Sequence, residues 1–222
     1  YVPVTDAVAV PRREIVDDAS CNNCHRDLSA HGGNRKNADY CAFCHNPNNP
    51  GDERIGRPES GTVFAHSVDF RMFIHRIHMG EHLDQKPYLL GAFPAPTKAN
   101  PMGTMIDFSE VRYPGDLRAC WACHKSDSFH LPLSKDMLPS KTQVIGCVED
   151  PAADGDAYCD MRQVLSEELI PATTAACTGC HDAPYVVAHA QTMTSASGVE
   201  ACATCHGPGS DYDVQAVHAL DP

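Results

Sequence analysis

Five copies of one short pattern recur along this chain: two cysteines separated by two residues and followed at once by a histidine. They are Cys21/Cys24/His25, Cys41/Cys44/His45, Cys120/Cys123/His124, Cys177/Cys180/His181 and Cys202/Cys205/His206. Two thiols at this spacing can add to the two vinyl groups of a haem while the adjacent histidine reaches the iron from one face, the signature of c-type haem attachment. A CxxC pair by itself suits a zinc site or a redox dithiol equally well. With 13 histidines in 222 residues, a given position is His about once in 17, so five pairs all followed by His arise by chance roughly once in a million. Neither alternative requires that histidine. The expected cofactors are five covalently attached haem c groups.

Each iron needs a second axial ligand or keeps an open position. Beyond the motifs the chain holds His31, His66, His75, His78, His82, His130, His189 and His218, enough for every iron to be bis-histidine and closed to substrate. The expected distal set is His31, His75, His78, His189 and His218, with His66, His82 and His130 as spares. A histidine on a helix or turn is more often a plain surface or core residue, and only the five motifs weigh against that here. His75 and His78 lie in SVDFRMFIHRIHMG, residues 67–80, where Phe70, Phe73, Ile74 and Ile77 recur at helical spacing, with Ser67 as N-cap and Gly80 as stop. Histidines three apart share a face but are offset along the axis, so they suit two neighbouring haems. His31 precedes Gly32 and Gly33, a turn that lets backbone approach a flat group closely.

The elements positioning these residues are expected to be short. Five haems in 222 residues leave too little protein for a conventional core around each, so the haems become much of the core. The expected fold is mainly α and irregular, short helices and loops wrapped around a packed haem array with little or no β-sheet. Residues 1–16 read as an extended lead-in and 17–222 as one pentahaem domain, with haem groups from 17–130 and 170–222 joined by a disulfide-closed loop, 131–169. Asp17 or Asp18 is expected to cap motif one and Thr173 or Thr174 motif four. Ser197 with Glu200 forms a capping-box pattern before motif five, and DMRQVLSEEL, residues 160–169, has helical propensity. Residues 83–118, with five prolines and no attachment site, read as a long crossover. Trp121, inside motif three, is read as haem packing rather than as an electron relay.

The formal charge is −12, and five haems with their propionates take it to roughly −17 oxidised and −22 reduced. Such a surface excludes nucleic acid and anionic membranes as partners and favours basic or cationic ones, metal ions included. Covalent haem attachment belongs outside the cytoplasm, where the two spare cysteines, Cys147 and Cys159, are read first as a disulfide. No leader or acylatable N-terminal cysteine opens the sequence, so any export signal is expected to be removed or to lie outside it, and no run is long and apolar enough to cross a bilayer.

With these residues in place, the segments CNNCHRDLSAHGGNR, YCAFCHNPN, DFRMFIHRIHMGE, YPGDLRACWACH, ACTGCHD and ACATCHGPG followed by AVH resemble a pentahaem domain of the OmcA/MtrC family of outer-surface multihaem cytochromes. The resemblance implies electron transfer at the cell surface, outer membrane or extracellular space, with the periplasm as alternative. Other cytochromes or redox proteins, metal ions, minerals and flavins are the implied partners. Two other functions are weighed against a simple electron wire. A haem reductase needs an open iron, which that kind of pentahaem enzyme marks with lysine in place of a motif histidine, and all five motifs here end in His. A homo-oligomer or polymeric filament with stacked terminal haems is disfavoured by the acidic surface.

Overall fold

The computed structural model describes residues 3–5, 7–9, 13–51, 62–94, 97, 99–100, 103–148 and 161–218. In chain order the motif helices α1 (Asp18–His25) and α2 (Ala38–Cys44) come first, then strand β1 (Thr62–Ala65) and helix α3 (Phe70–Met79). The hairpin β2 (Leu89–Ala92) and β3 (Thr104–Asp107) follows, then β4 (Ser140–Val148) and β5 (Met161–Ile170), and finally α4 (Ala172–Cys177), α5 (Pro184–Thr192), α6 (Ala203–His206) and α7 (Val214–His218). Motif three sits on a single 3-10 turn, Cys120–Ala122.

The expectation of little or no β-sheet is overturned. Among the described residues there are two antiparallel sheets, one of three strands in the order β1-β4-β5 and one of two, β2-β3. The crossover expected over residues 83–118 contains the β2-β3 hairpin, with Leu89 opposite Asp107 and Ala92 opposite Thr104. The stretch expected to be helical over 160–169 is β5, paired with β4 from Ser140↔Ile170 to Val148↔Met161. Helix propensity differs by only tenths of a kcal/mol between such residues, and an isolated helix of about ten residues is marginal in water. A partner strand offering a continuous ladder wins. Leu165 is the extra residue where the register shifts between Val144 and Ile145, and residues 163–169 are exposed throughout on the sheet's outer strand.

The protein's own core is small. Leu83, Tyr88 and Leu90 are buried together, with Phe73, Ile77, Met79 and Phe108 packed on them. The apolar face of α3 thus docks on the β2-β3 hairpin. Its N-cap is Asp69, two residues beyond the expected Ser67: the Asp69 carboxylate accepts the Arg71 N–H, and Ser67 Oγ instead accepts the Asp69 N–H at 3.2 Å. Gly80 ends the helix as expected, at φ 35°. A Cβ there would lie 2.8 Å from the Val111 Cβ, so glycine is required both for the conformation and for the approach of the 111–113 segment.

Long-range anchors hold the rest. Asp182, 1% exposed, accepts the N–H groups of Asp84 (2.8 Å) and Gln85 (2.9 Å) and an Arg76 guanidinium N–H (3.2 Å). Arg71 donates from Nη2 to Asp69, to the Leu138 carbonyl and to Ser140 Oγ, tying α3 to the start of β4. Asp17 caps α1 through the Ser20 N–H (2.8 Å), as expected, while Asp18 reaches across to accept the Ala38 N–H (2.7 Å) at the start of α2. Thr173 and Thr174 are not caps but lie inside α4, and Glu200, expected in a box before motif five, accepts both of their N–H groups, at 2.8 and 2.6 Å. An acidic side chain remote in sequence thus satisfies the open amides of a helix start and complements its dipole.

Candidate haem sites

Each motif histidine faces one histidine from elsewhere in the chain. Ring centroids are separated by 6.0 Å for His25 and His78, 6.1 Å for His45 and His31, and 5.9 Å for His124 and His75. The separations are 5.8 Å for His181 and His218 and 6.4 Å for His206 and His189. Two imidazoles bound through Nε2 to opposite faces of one metal, at about 2.0–2.1 Å each, have centroids about 6.3 Å apart. All five spacings suit one iron between two rings.

Tautomers support the same use. The Nδ1–H of His45 donates to the Val68 carbonyl (3.0 Å), that of His75 to Ala176 (3.3 Å) and that of His78 to Ile74 (2.9 Å). His206 and His218 donate likewise to Tyr212 (3.2 Å) and Val214 (3.1 Å). His124 differs, donating to Ser128 Oγ (3.1 Å), whose hydroxyl passes the bond on to the Ile15 carbonyl (3.1 Å). A carbonyl can only accept, so Nδ1 carries the proton and Nε2 keeps its lone pair for a metal. Burial, then His124, lowers the pKa of His75 to about 4 and keeps the ring in the neutral, ligating form.

Local structure explains the placement. His31 has φ 51° and is followed by Gly32 at 74° and Gly33 at 85°, a left-handed run closed by the Ala30 N–H on the Arg35 carbonyl (2.9 Å). The turn aims His31 at His45, whose other neighbour is the Phe73 ring, stacked at 4.7 Å. His75 and His78 project from one face of α3 towards motifs three and one, and Gly179 lets motif four press on His75, since a Cβ there would stand 2.7 Å from that of His75.

The spare histidines lie elsewhere. His66 packs on Tyr88 (5.3 Å), and burial, then Arg76, lowers its pKa to about 4. His82 is exposed beside Glu81 (3.8 Å), and His130 lies against Phe129 (4.6 Å).

None of the ten motif cysteines expected to hold haem is joined to another in a disulfide. In every motif one of the two is exposed and the other partly covered: Cys24 beside Cys21, Cys44 beside Cys41, Cys123 beside Cys120, Cys177 beside Cys180 and Cys205 beside Cys202. Cys205 lies on the four-residue helix α6, whose exit is fixed by the Ser210 hydroxyl donating to the Cys205 carbonyl. The chain's own core does not enclose Cys205 or the other four exposed thiols, which is where an external flat group can reach them.

Burial pushes Cys177 up to about 11 and Cys180 up to about 12 and raises Cys21, Cys41, Cys120, Cys123 and Cys202. A redox dithiol needs the opposite shift. Among the described residues no group of three or more His, Cys, Asp or Glu gathers as a metal site; two facing rings would supply the two donors that the four nitrogens of haem c leave wanting, and the two thiols beside them would carry its covalent attachment. Flat apolar side chains rim the motifs: Phe43 is 77% exposed, Tyr185 79% and Tyr212 65%, the last 6.2 Å from His206. Trp121, read above as packing, is partly exposed within motif three. These surfaces fit a large planar group.

The motifs also act on one another electrostatically. After burial, the neighbour that most raises Cys21 is Cys123, and Cys24 raises Cys123 in turn. In the same way Cys120 acts on Cys180, and Cys202 on Cys177. Two contributors escape sequence reasoning: Phe73 is legible only as a core position, and Tyr113, whose ring meets that of His78 edge to face, only as the start of a Pro-Gly turn. The expected Cys147–Cys159 bridge lies outside the described residues.

Covalent attachment motifs paired with second histidines define a multihaem c-type cytochrome, a class made for electron transfer. The chain belongs to the family described as outer membrane cytochrome MtrC/MtrF-like, domains II/IV, whose model matches residues 13–219. That family agrees with the resemblance seen in the sequence and places the chain outside the cytoplasm, at the cell surface. No curated relative matches it.

Proposed function

We propose that this chain is a five-haem electron relay without a catalytic iron. Ten motif cysteines, from Cys21 to Cys205, hold five haem c groups, His25, His45, His124, His181 and His206 are proximal ligands, and His78, His31, His75, His218 and His189 are their respective distal partners. The observation carrying this reading is the set of five histidine pairs at 5.8–6.4 Å. When bound, haem would supply a one-electron ferric/ferrous couple, and the paired histidines would leave substrate no position on its iron.

Electrostatic neighbours and one hydrogen bond support an order. Asp18 joins sites one and two by a hydrogen bond, and Cys24 acts electrostatically on Cys123 between sites one and three, Cys120 on Cys180 between three and four, and Cys202 on Cys177 between four and five. The path therefore runs second, first, third, fourth, fifth. Residues 17–222 form one pentahaem unit whose groups, 17–130 and 170–222, are linked through the β4-β5 hairpin, closed by a Cys147–Cys159 disulfide. Electrons pass to other cytochromes or redox proteins, or to metal ions, minerals or flavins.

The test is a haem count by alkaline pyridine absorbance with electron paramagnetic resonance of the oxidised protein. Five low-spin, six-coordinate centres are expected, and a stable high-spin signal overturns the assignment. His75→Met should raise the potential of one centre and leave five haems attached, because a thioether favours ferrous iron.

A further inference from the structure

The third site differs from the others in how its motif histidine is held. The Nδ1–H bonds described for His45, His75, His78, His206 and His218 end directly on main-chain carbonyls, whereas that of His124 ends on the Ser128 hydroxyl, 3.1 Å away. Counting hydrogens fixes the direction of this bond. Ser128 Oγ also lies 3.1 Å from the Ile15 carbonyl oxygen, which can only accept, and a hydroxyl has one hydrogen to give. That hydrogen goes to Ile15, so the oxygen accepts from His124 and the imidazole keeps its Nε2 lone pair for iron.

Ile15 lies in the segment before motif one that reads in the sequence as a lead-in, 113 positions from Ser128. The fold fastens that segment to motif three. The Lys125 N–H donates to the same Ile15 carbonyl (2.8 Å), Val16 forms an antiparallel bridge with His124, and the Lys125 ammonium pairs with Glu14 (2.7 Å) and Asp17 (3.3 Å). Exposed ion pairs contribute little each; the backbone bonds are what hold the carbonyl where the hydroxyl meets it. Ser128 is set from its own side by a turn, its N–H donating to the Lys125 carbonyl (3.1 Å). Both ends of the relay from Nδ1 to Oγ to the carbonyl are therefore fixed.

We propose that Ser128 is a positioning residue that sets the donor strength of His124, with the Ile15 carbonyl as its fixed acceptor, and so tunes the potential of the third haem apart from the other four. This rests on the five-haem reading above. A hydrogen bond accepted from Nδ1–H raises the basicity of a ligand imidazole, and a hydroxyl whose own hydrogen is bound to a carbonyl accepts more strongly than a free one. A more basic ligand favours ferric iron and lowers the potential. The sites held by main-chain carbonyls keep their acceptors whatever the side chain; the third, among those described, hangs on a hydroxyl that one substitution removes.

The test is stepwise voltammetric titration with electron paramagnetic resonance on the full, haem-loaded chain. Ser128→Ala should keep five haems attached, raise one of the five potentials and shift the g-values of that centre alone. Ser128→Thr, which keeps the hydroxyl, should hold the wild-type values. The centre that moves should be the one that His75→Met moves, since His75 and His124 share an iron. A Ser128→Ala protein with five unchanged potentials and unchanged g-values overturns the proposal, and so does a shift that Ser128→Thr reproduces in full. Should the alanine variant fail to fold, Ser128→Cys, whose thiol is a weaker acceptor, should raise the same potential by less, and wild-type potentials there overturn the proposal as well. Wild-type protein lacking five low-spin centres would instead sink the five-haem reading.

Discussion

Helix α3 and the His31 turn each present a histidine to a motif, by opposite means. The helix is capped by Asp69, stopped by Gly80 and anchored by contacts from residues 138, 140, 176 and 182, and it serves two sites. The turn is closed by its own backbone between Ala30 and Arg35 and serves one. Ligands supplied through long-range anchors make several sites share one fate, whereas a ligand on a local turn leaves its site to itself. Disturbing an anchor of α3 should therefore perturb several centres together, and disturbing the turn only one.

The largest effect is expected at Asp182. Replacing it with Ala leaves the buried Arg76 guanidinium and two N–H groups without their acceptor, at a cost of about 3–5 kcal/mol. Denaturant unfolding followed by haem absorbance should register this loss, and the bands of sites one, three and four should broaden together. Equal stability would mean that α3 is not held through this carboxylate. The double change Arg76→Met with Asp182→Leu should recover part of the loss, since no charge is then stranded.

Next comes the pH dependence of the core under α3. The pKa of His66 is lowered to about 4 in the folded protein, chiefly by burial, against about 6.5 when unfolded. The unfolded chain thus binds the proton more readily, so this contribution is complete above about pH 6.5 and is lost as pH falls towards about 4, on the order of 3 kcal/mol. His66→Gln should flatten the slope of unfolding free energy in that window. An unchanged slope would refute the buried neutral assignment.

Glu200→Gln should weaken the cap on α4 by about 1 kcal/mol, read as a lower midpoint for sites four and five with the second site unmoved. The smallest change is expected for Gly33→Ala, where φ is 85° and an L side chain costs about 1 kcal/mol. Only the His31–His45 centre should respond; a spread to α3's sites would erase the distinction between the two kinds of ligand delivery.

The CxxCH pattern and the α3 helix with its Gly80 stop were legible because each rests on local chemistry: a fixed spacing, and an apolar period closed by a glycine. The sheets were not. Whether MRQVLSEELI turns helical or extended depends on β4, a partner that lies across the 149–160 connection, and the local preference is too weak to decide. Glu200 was misread for the same reason. Its position before motif five fits a box with Ser197, yet the helix start it satisfies belongs to motif four. Tyr113 left a trace only in Pro114-Gly115, a turn whose glycine makes room for the ring before it.

The Asp182 and Glu200 contacts also impose an order of maturation. A chain delivered from its N-terminus presents α3 long before residue 182, and the start of α4 before residue 200. Until then His75 and His78 ride on a helix without its carboxylate anchor, and the motif-four helix has open amides at its head. The second site, complete within residues 31–45 apart from what packs on it, can close early, while the third and fourth must wait for chain still to come.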